Sequence, residues 1–377
     1  MRSKTLFHTP NALRPHLAII VIAFILSSCH TGRYFYWNLA DTQDYKRFPS
    51  LSIQPSDQPK ALPVAGNFVS PDFSQIYHGR FRNLEHLLSA TSSLAFLIIH
   101  KDTILYEAYL QNYDSSSLIP SFSIAKSFVS VMVGLALRDG YIQDVDDPVT
   151  KYLPAGFDPS LQSVRVKDLL NMRAGLNFTE AYRTPFSPMA KYYYGRHLDK
   201  YVKDLRIVDE PGRKYEYQSA ATQLLGLAIE YSSGKHLIEY LEESLWQPAG
   251  MANEATWSLD RKNGRGKHFC CLNATPRDFA RFGVLLANEG KYNGEEVIPA
   301  SWLEAIRQAD PAFVDSQSYP YSYQWRITPE GGMFAKGILG QYIYIHPGKD
   351  VVIVRMGRKS GNLDWGVLFR HLVTSIP

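Results

Sequence analysis

The chain has 377 residues, of which 45% are hydrophobic and 20% are charged. These proportions are ordinary for a globular protein, and the length suits one large domain or two lobes that share a core. The formal charge is +4, and much of it comes from basic residues at the N-terminus. The composition therefore excludes the clustered basic surface that binds nucleic acid, and with three cysteines in all it excludes a disulfide framework.

The N-terminus is predicted to be a signal peptide over residues 1–28. Arg2, Lys4 and Arg14 form a basic region, and Leu17–Leu26 follows as an apolar run that is too short to span a bilayer. The run ends in Leu26-Ser27-Ser28-Cys29, which resembles the bacterial lipobox and implies cleavage before Cys29 and a lipid anchor on it. We therefore expect a protein of the bacterial cell envelope, in the outer membrane or facing the periplasm. A plain signal peptide or an uncleaved anchor is the alternative.

The remaining chain predicts strands near both ends and helices in the middle. Residues 29–66 are rich in Pro, Ser, Asp and Gln, which predicts a tether. Paired apolar runs predict β-hairpins over 95–110 and 341–356. Periodicity and capping residues predict helices over 121–138, 164–172, 220–231, 236–245, 275–288 and 362–376. We expect one domain over 67–377, with an α/β lobe from about 67–137 and 285–377 and a helical lobe from about 138–284.

The segment Ser123-Ile124-Ala125-Lys126 opens the first predicted helix. Residues three apart share a helix face, so Lys126 is expected one turn from the Ser123 hydroxyl. Burial and the positive end of the helix disfavour an ammonium, and a neutral lysine can accept the serine proton. The alternative is a helix cap followed by a chance lysine, although a buried lysine is costly. A second match, Ser232 to Lys235, lies in a polar turn and is interpreted as chance.

Two further groups of residues could carry chemistry. Tyr217-Gln218-Ser219 precedes a predicted helix, but Tyr-x-Ser alone is common and usually structural. Cys270 and Cys271 are adjacent, and with His268 they have no recognisable metal-ligand spacing. We therefore expect two small thiols that face the core, and no metal. The sequence has no phosphate loop or dinucleotide fingerprint, so no cofactor is predicted.

Five segments together resemble the β-lactamase-related serine hydrolases, in the order in which that family has them. They cover about residue 80 to the C-terminus and are Pro120–Phe128, Val166–Leu176, Pro211–Gly226, Ala274–Gly283 and Gly340–Pro347. The resemblance points to the branch that holds class C-like esterases and 6-aminohexanoate-dimer hydrolases. It implies an α/β (α+β), β-lactamase/transpeptidase-like fold, in which helices flank an antiparallel sheet and form an inserted lobe.

The same resemblance implies roles for individual residues. Ser123 is the nucleophile and Lys126 its base. Tyr217 is the phenol that carries a proton between Ser123 and the leaving group and later activates water, with its pKa lowered by Lys126. Ser219 stands where the family often has Asn and is expected to bind substrate. The backbone N–H groups of Ser123 and Ile338 are expected to form the oxyanion hole.

The chain departs from the family at the third catalytic motif. Lactam-cleaving members carry Lys or His, one residue and then Gly, whereas this chain has Ala335-Lys336-Gly337-Ile338-Leu339-Gly340. If Gly337 is the motif glycine, which is the register we prefer, Ala335 occupies the basic position. If Gly340 is the motif glycine, Ile338 occupies that position. Both registers lack the basic residue that helps to bind a substrate carboxylate, which argues against β-lactam and D-Ala-D-Ala substrates.

The sequence therefore predicts a carboxylesterase- or amidase-like serine hydrolase that acts on a small ester or amide. It predicts no nucleic-acid partner and membrane attachment through Cys29. One alternative is a non-catalytic envelope binding protein on the same fold, which the altered third motif favours. The other is a D-amino-acid peptidase or weak β-lactamase, which the missing basic residue disfavours.

Overall fold

The computed structural model describes residues 30–37, 39–66, 68–73 and 76–376. The predicted signal peptide and Cys29 lie outside these ranges. Within them, no helix combines the length and the apolar character needed to cross a bilayer.

Short helices and strands alternate along the described part of the chain. The helices are α1 (His30–Trp37), α2 (Leu84–Ala90), α3 (Ile124–Arg138), α4 (Val166–Leu170), α5 (Pro188–Tyr194), α6 (Leu198–Lys203), α7 (Ser219–Ser233), α8 (Leu237–Leu241), α9 (Pro276–Ala287), α10 (Ala300–Arg307) and α11 (Trp365–Thr374). The strands are β1 (Ser50–Ile53), β2 (Ser93–His100), β3 (Thr103–Tyr109), β4 (Ile119–Pro120), β5 (Ala255–Ser258), β6 (Leu272–Ala274), β7 (Lys291–Tyr292), β8 (Glu295–Glu296), β9 (Tyr321–Ser322), β10 (Trp325–Ile327), β11 (Met333–Gly337), β12 (Gln341–His346) and β13 (Val351–Gly357).

Seven antiparallel strands form the large sheet, in the order β3-β2-β13-β12-β11-β10-β9. The two hairpins predicted from the sequence, β2–β3 and β12–β13, are confirmed, and they lie side by side because β2 pairs with β13. Strands β2 and β13, where the two hairpins meet, are buried along almost their whole length, as expected where helices cover both faces of a sheet. Lys101 and Asp102 turn the first hairpin with positive φ angles of 47° and 62°, the backbone that suits a tight turn.

Helices pack on both faces of the large sheet, which confirms the predicted fold class. Side chains of α2 and α11 share a core with one face, and side chains of α3, α7 and α9 share a core with the other. The sequence assigns most of α9 to the helical lobe, and this assignment is wrong, because α9 packs on β12 and β13. Gly283 permits the approach: a Cβ there would lie 2.5 Å from Cγ1 of Val352.

Residues 29–66 are predicted as a tether, but the described part of this segment packs against the domain. Helix α1 lies against α5, and β1 pairs with β5. The reason is a set of apolar side chains spaced through the segment, each no more than 8% exposed: Tyr34, Phe48, Ile53 and Leu62. Burying each of them contributes about 1.5–3 kcal/mol, and this offsets the entropy lost on ordering a segment whose overall composition resembles a linker.

A small sheet, in the order β1-β5-β6-β4, lies beside the N-terminal end of α3. Strand β4 pairs with β6 and leads directly into α3. The small sheet therefore fixes where the buried helix α3 begins.

Candidate active site

Ser123 lies where β4 passes into α3. The Ser121 N–H donates to the Leu272 carbonyl at 2.7 Å, which ties the incoming chain to β6. Phe122 then adopts a φ of 44°, a left-handed conformation that is uncommon for a bulky side chain. Ser123 is the N-cap residue of α3, yet its hydroxyl makes no capping hydrogen bond. The serine is partly exposed and its hydroxyl is directed to another partner, so the helix-cap alternative is wrong.

That partner is Lys126, whose side chain is 1% exposed. Its Nζ lies 3.0 Å from the Ser123 Oγ and donates to the Phe269 carbonyl at 2.7 Å. Burial lowers the pKa of Lys126 to about 8, and Arg326 lowers it further while Glu180 acts in the opposite direction. About a tenth of the amine is therefore neutral at pH 7 and about half at pH 8, a shift in the direction that the sequence predicts.

Tyr217 completes the group around the serine. The Lys126 Nζ lies 5.1 Å from the centroid of the Tyr217 ring, and Ser123 is close enough to Tyr217 to influence the pKa of the phenol. Burial raises the pKa of Tyr217 above its usual value, against smaller lowering effects of Arg326 and Ser123. The expectation that Lys126 lowers this pKa is therefore wrong: the phenol is desolvated, and desolvation disfavours the phenolate.

The second Ser-x-x-Lys match has none of these features. Ser232 lies in the last turn of α7 and donates to the Ala228 carbonyl at 2.7 Å. The Lys235 Nζ pairs with Glu243 at the surface, so the lysine is solvated and does not reach the serine.

Gly337 is the residue of the third motif that adjoins the nucleophile. A Cβ at Gly337 would lie 2.6 Å from the Ser121 carbonyl and 3.2 Å from Cβ of Phe122. This close approach favours the register with Gly337 as the motif glycine. In that register Ala335 takes the basic position and is fully buried. Lys336 hydrogen-bonds Gln317 and, unlike Ile338, does not line the cavity that contains Ser123.

An apolar cavity of about 200 Å³ opens at Ser123. Ile338 is one of the residues that line it, and the role of its N–H in an oxyanion hole stays a prediction. Its other walls are largely aromatic and aliphatic, from Phe122, Met189, Tyr193, Tyr194, Phe269 and Leu339. Leu39 and Ala40 also line it, so the segment predicted as a tether contributes to the cavity wall.

Ser219 contacts a residue that the sequence did not single out. Its N–H and hydroxyl donate to the Glu180 carboxylate at 2.8 and 2.7 Å, and the Tyr182 hydroxyl donates to the same carboxylate. Ser219 also lines the cavity, so its role in binding substrate stays a prediction. Glu180 lies in a long loop without any motif, and no sequence signal identifies it.

Cys270 and Cys271 are joined by a disulfide bond, so the prediction of two free thiols is wrong. Both residues are 4% exposed, and Cys270 lines the cavity at Ser123. In the described part of the chain, no group of three or more His, Cys, Asp or Glu side chains is arranged to hold a metal ion.

An antiparallel sheet covered by helices, with a serine at the start of a buried helix and a lysine one turn further on, defines a class of hydrolases with the β-lactamase/transpeptidase-like fold. The chain belongs to the Beta-lactamase family, whose family model matches residues 81–369. The resemblance identified in the sequence is thereby confirmed.

Individual relatives support this assignment. The 6-aminohexanoate-dimer hydrolase of Paenarthrobacter ureafaciens is 27% identical over 299 residues, which are 74% of this chain and 75% of that protein. Among solved structures, "Putative 6-aminohexanoate-dimer hydrolase from Bacillus anthracis" has a TM-score of 0.75 at 22% identity and covers 91% of this chain and 93% of its own. A penicillin binding protein from Bacillus halodurans has a TM-score of 0.62 at 18% identity, with 76% and 98% coverage. The two structures show likeness of fold.

Proposed function

We propose that this protein is a serine hydrolase that cleaves an ester or an amide through an acyl-enzyme on Ser123. The observation that carries the proposal is the position of the Lys126 Nζ, 3.0 Å from a serine hydroxyl that does not cap its helix. A nucleophile and a base within hydrogen-bond distance are the minimum that this chemistry requires.

The arrangement suggests a sequence of proton transfers. The fraction of Lys126 that is neutral accepts the Ser123 proton as Oγ attacks the substrate carbonyl. The N–H groups of Ser123 and Ile338 stabilise the oxyanion. Tyr217, held neutral by burial, donates a proton to the leaving group. It recovers a proton from Lys126, which holds the one taken from Ser123. A water then loses a proton to Lys126 and attacks the acyl-enzyme carbonyl, and the Ser123 Oγ leaves with that proton as the acyl chain is released.

The cavity favours a small substrate with an apolar acyl group. Its lining is aromatic and aliphatic, and the position of the family's basic residue is occupied by the buried Ala335. A substrate carboxylate would find no cation at position 335, which is costly in an apolar site, whereas Arg183 lines the same cavity elsewhere and can pair with one. The relative named 6-aminohexanoate-dimer hydrolase makes a short linear amide a reasonable first substrate. β-Lactams and D-Ala-D-Ala peptides fit this site less well.

We also propose that the protein is anchored in the bacterial envelope by a lipid on Cys29. This rests on the sequence of the N-terminus alone. Expression in a bacterium with an alkyne-labelled fatty acid should label the wild-type protein and leave Cys29→Ser unlabelled. Labelling of both proteins, or of neither, would contradict the anchor.

The hydrolase proposal is tested by turnover of p-nitrophenyl esters of increasing acyl length and of a linear amide dimer. Ser123→Ala should abolish turnover, while Ser232→Ala, which changes the surface serine of the other Ser-x-x-Lys match, should retain it. Equal turnover by wild type and Ser123→Ala would assign the activity elsewhere. A wild-type protein without turnover of any ester or amide would favour the non-catalytic binding protein.

A further inference from the structure

The Cys270–Cys271 disulfide lies between two backbone carbonyls that hold the catalytic segment. On one side, the Phe269 carbonyl accepts a hydrogen bond from the Lys126 Nζ at 2.7 Å. On the other side, the Leu272 carbonyl accepts one from the Ser121 N–H at 2.7 Å. The base and the chain that leads to the nucleophile are thus both fastened to one short stretch of residues, with the disulfide in its middle.

The conformation of this stretch depends on Cys271. Its φ of 74° lies in the left-handed region, which residues with a side chain seldom occupy. Its carbonyl accepts from the Ser258 N–H, and the Cys270 N–H donates to the Lys267 carbonyl, both at 3.0 Å. A covalent ring formed by two neighbouring residues removes most of the backbone freedom between the carbonyls of residues 269 and 272.

We propose that the Cys270–Cys271 disulfide is a redox-sensitive positioning element of the hydrolase, which fixes the Phe269 carbonyl against Lys126. The inference rests on the proposed function. When the disulfide is reduced, the Phe269 carbonyl can move away from Lys126. The lysine then loses its alignment with Ser123, and it also loses the hydrogen-bond acceptor that stabilises its charged form. The disulfide therefore governs how well the base is placed, and Cys270 itself lies at the cavity wall.

Because Cys270 lines the cavity, a small dithiol or a phosphine can reach the disulfide there. With a phosphine, phosphorus bonds to one cysteine sulfur as the bond between the cysteines breaks, and water then releases the phosphine oxide and supplies the hydrogens of the two thiols. With a dithiol, a thiolate attacks one cysteine sulfur and the bond between the two cysteines breaks to leave a mixed disulfide. The second thiol resolves that intermediate. Cys270 and Cys271 each gain a proton and are reduced by two electrons in total, and the dithiol becomes a disulfide.

The experiment compares the oxidised full-length protein with the same protein after reduction by a phosphine, which lacks the thiol that would itself attack an ester. Intact mass should rise by about 2 Da on reduction, because two sulfurs each gain a hydrogen. The maximum kcat/KM should fall by about 3- to 10-fold, the loss expected for one buried hydrogen bond. The acidic limb of the pH profile should move to lower pH, because the ammonium of Lys126 has lost an acceptor.

The direction of that pH shift distinguishes a disulfide that positions Lys126 from one that only keeps the surrounding structure tightly packed. If the disulfide ring only keeps water out of the site, reduction lets water reach Lys126. The lysine is then less desolvated, its pKa rises, and the acidic limb of the pH profile moves to higher pH. The matched control is Cys270→Ser/Cys271→Ser, which should resemble the reduced wild type and be unaffected by phosphine. If that variant does not fold, the reduced wild type still provides the comparison.

The remaining outcomes would overturn the positioning role of the disulfide, either alone or together with the proposed function. Two free thiols in the oxidised protein, a profile unchanged by reduction, or a limb that moves to higher pH would each overturn the positioning role while leaving Ser123 as the nucleophile. A wild-type protein that neither turns over esters nor reacts with a fluorophosphonate would overturn the proposed function, and the positioning role with it.

Discussion

The Lys126 Nζ lies 3.0 Å from the Ser123 Oγ, and the lysine that makes this contact is 1% exposed. The contact follows from helix geometry, since the two residues are one turn apart on α3. The burial follows from the apolar surroundings of that helix, almost all of whose residues are buried. Short distance and desolvation are the two properties that the proposed mechanism requires of a base.

We expect kcat/KM for an ester to rise with pH through about 8 and to level off above it. The base must be neutral, and burial lowers the pKa of Lys126 to about 8, so the active fraction grows as pH rises through that value. The raised pKa of Tyr217 keeps the phenol neutral across the same range. A pH–rate profile between 6 and 10 checks this, and an acidic limb near the ordinary lysine value of about 10.4 would contradict it.

Lys126→Met should abolish activity and stabilise the fold by about 1–3 kcal/mol at pH 7. The folded pKa lies below the unfolded one, so at neutral pH the native state carries the cost of a buried charge or of its neutralisation. That cost is complete below about pH 8 and disappears as pH rises toward the unfolded pKa, so the gain in stability should shrink over that interval. Urea unfolding at pH 7 and pH 10 measures it.

The control for this stability gain is Lys235→Met. Lys235 belongs to the other Ser-x-x-Lys match, lies at the surface and pairs with Glu243. Removing a solvated lysine should change stability by no more than about 0.5 kcal/mol. Equal stabilisation by both substitutions would mean that burial of Lys126 is not the cause.

Gly337→Ala should lower kcat by about 100-fold, the size of effect seen when one oxyanion donor is lost. The new Cβ would lie 2.6 Å from the Ser121 carbonyl, so β11 must move away from the nucleophile and carry the Ile338 N–H with it. Steady-state kinetics test this prediction. Gly348→Ala is the control, because the nearest atom to a Cβ there is 3.8 Å away; similar losses in both variants would refute the close-approach argument.

Ala40→Trp should shift the preferred acyl chain to a shorter length. Ala40 lines the cavity at Ser123, and an indole there would fill space that the acyl group needs. The ratio of kcat/KM for a long ester to that for an acetyl ester should fall about tenfold, which corresponds to the loss of one or two buried methylene groups. Val69→Trp, at a residue 81% exposed, should leave the ratio unchanged. A constant ratio in Ala40→Trp would exclude the N-terminal segment from the substrate site.

The features that the sequence predicted well are those set by local spacing or by family motifs. Helix periodicity places Lys126 near Ser123, and the hairpins follow from alternation between apolar runs and turns. The features it missed depend on contacts between distant segments. The Phe269 carbonyl is a backbone atom that any residue would supply, and Glu180 reaches Ser219 from a loop without a motif.

The N-terminal segment and the adjacent cysteines were misread for related reasons. Average composition indicated a linker, whereas a few well-spaced side chains such as Phe48 and Ile53 decide that the segment packs. We expected free thiols at Cys270 and Cys271 because a bond between adjacent cysteines is strained when the backbone has its usual conformation. The structure gives Cys271 a left-handed conformation instead, and local sequence alone does not determine that choice.

The most direct test of the central claim is to identify the residue that a fluorophosphonate modifies. Wild-type protein would be labelled at pH 8.5, digested and analysed by mass spectrometry, with Ser123→Ala and Ser232→Ala treated in parallel. We expect one adduct, on the peptide that contains Ser123, present in wild type and Ser232→Ala and absent from Ser123→Ala. An adduct on another residue, or full labelling of Ser123→Ala, would contradict the central claim.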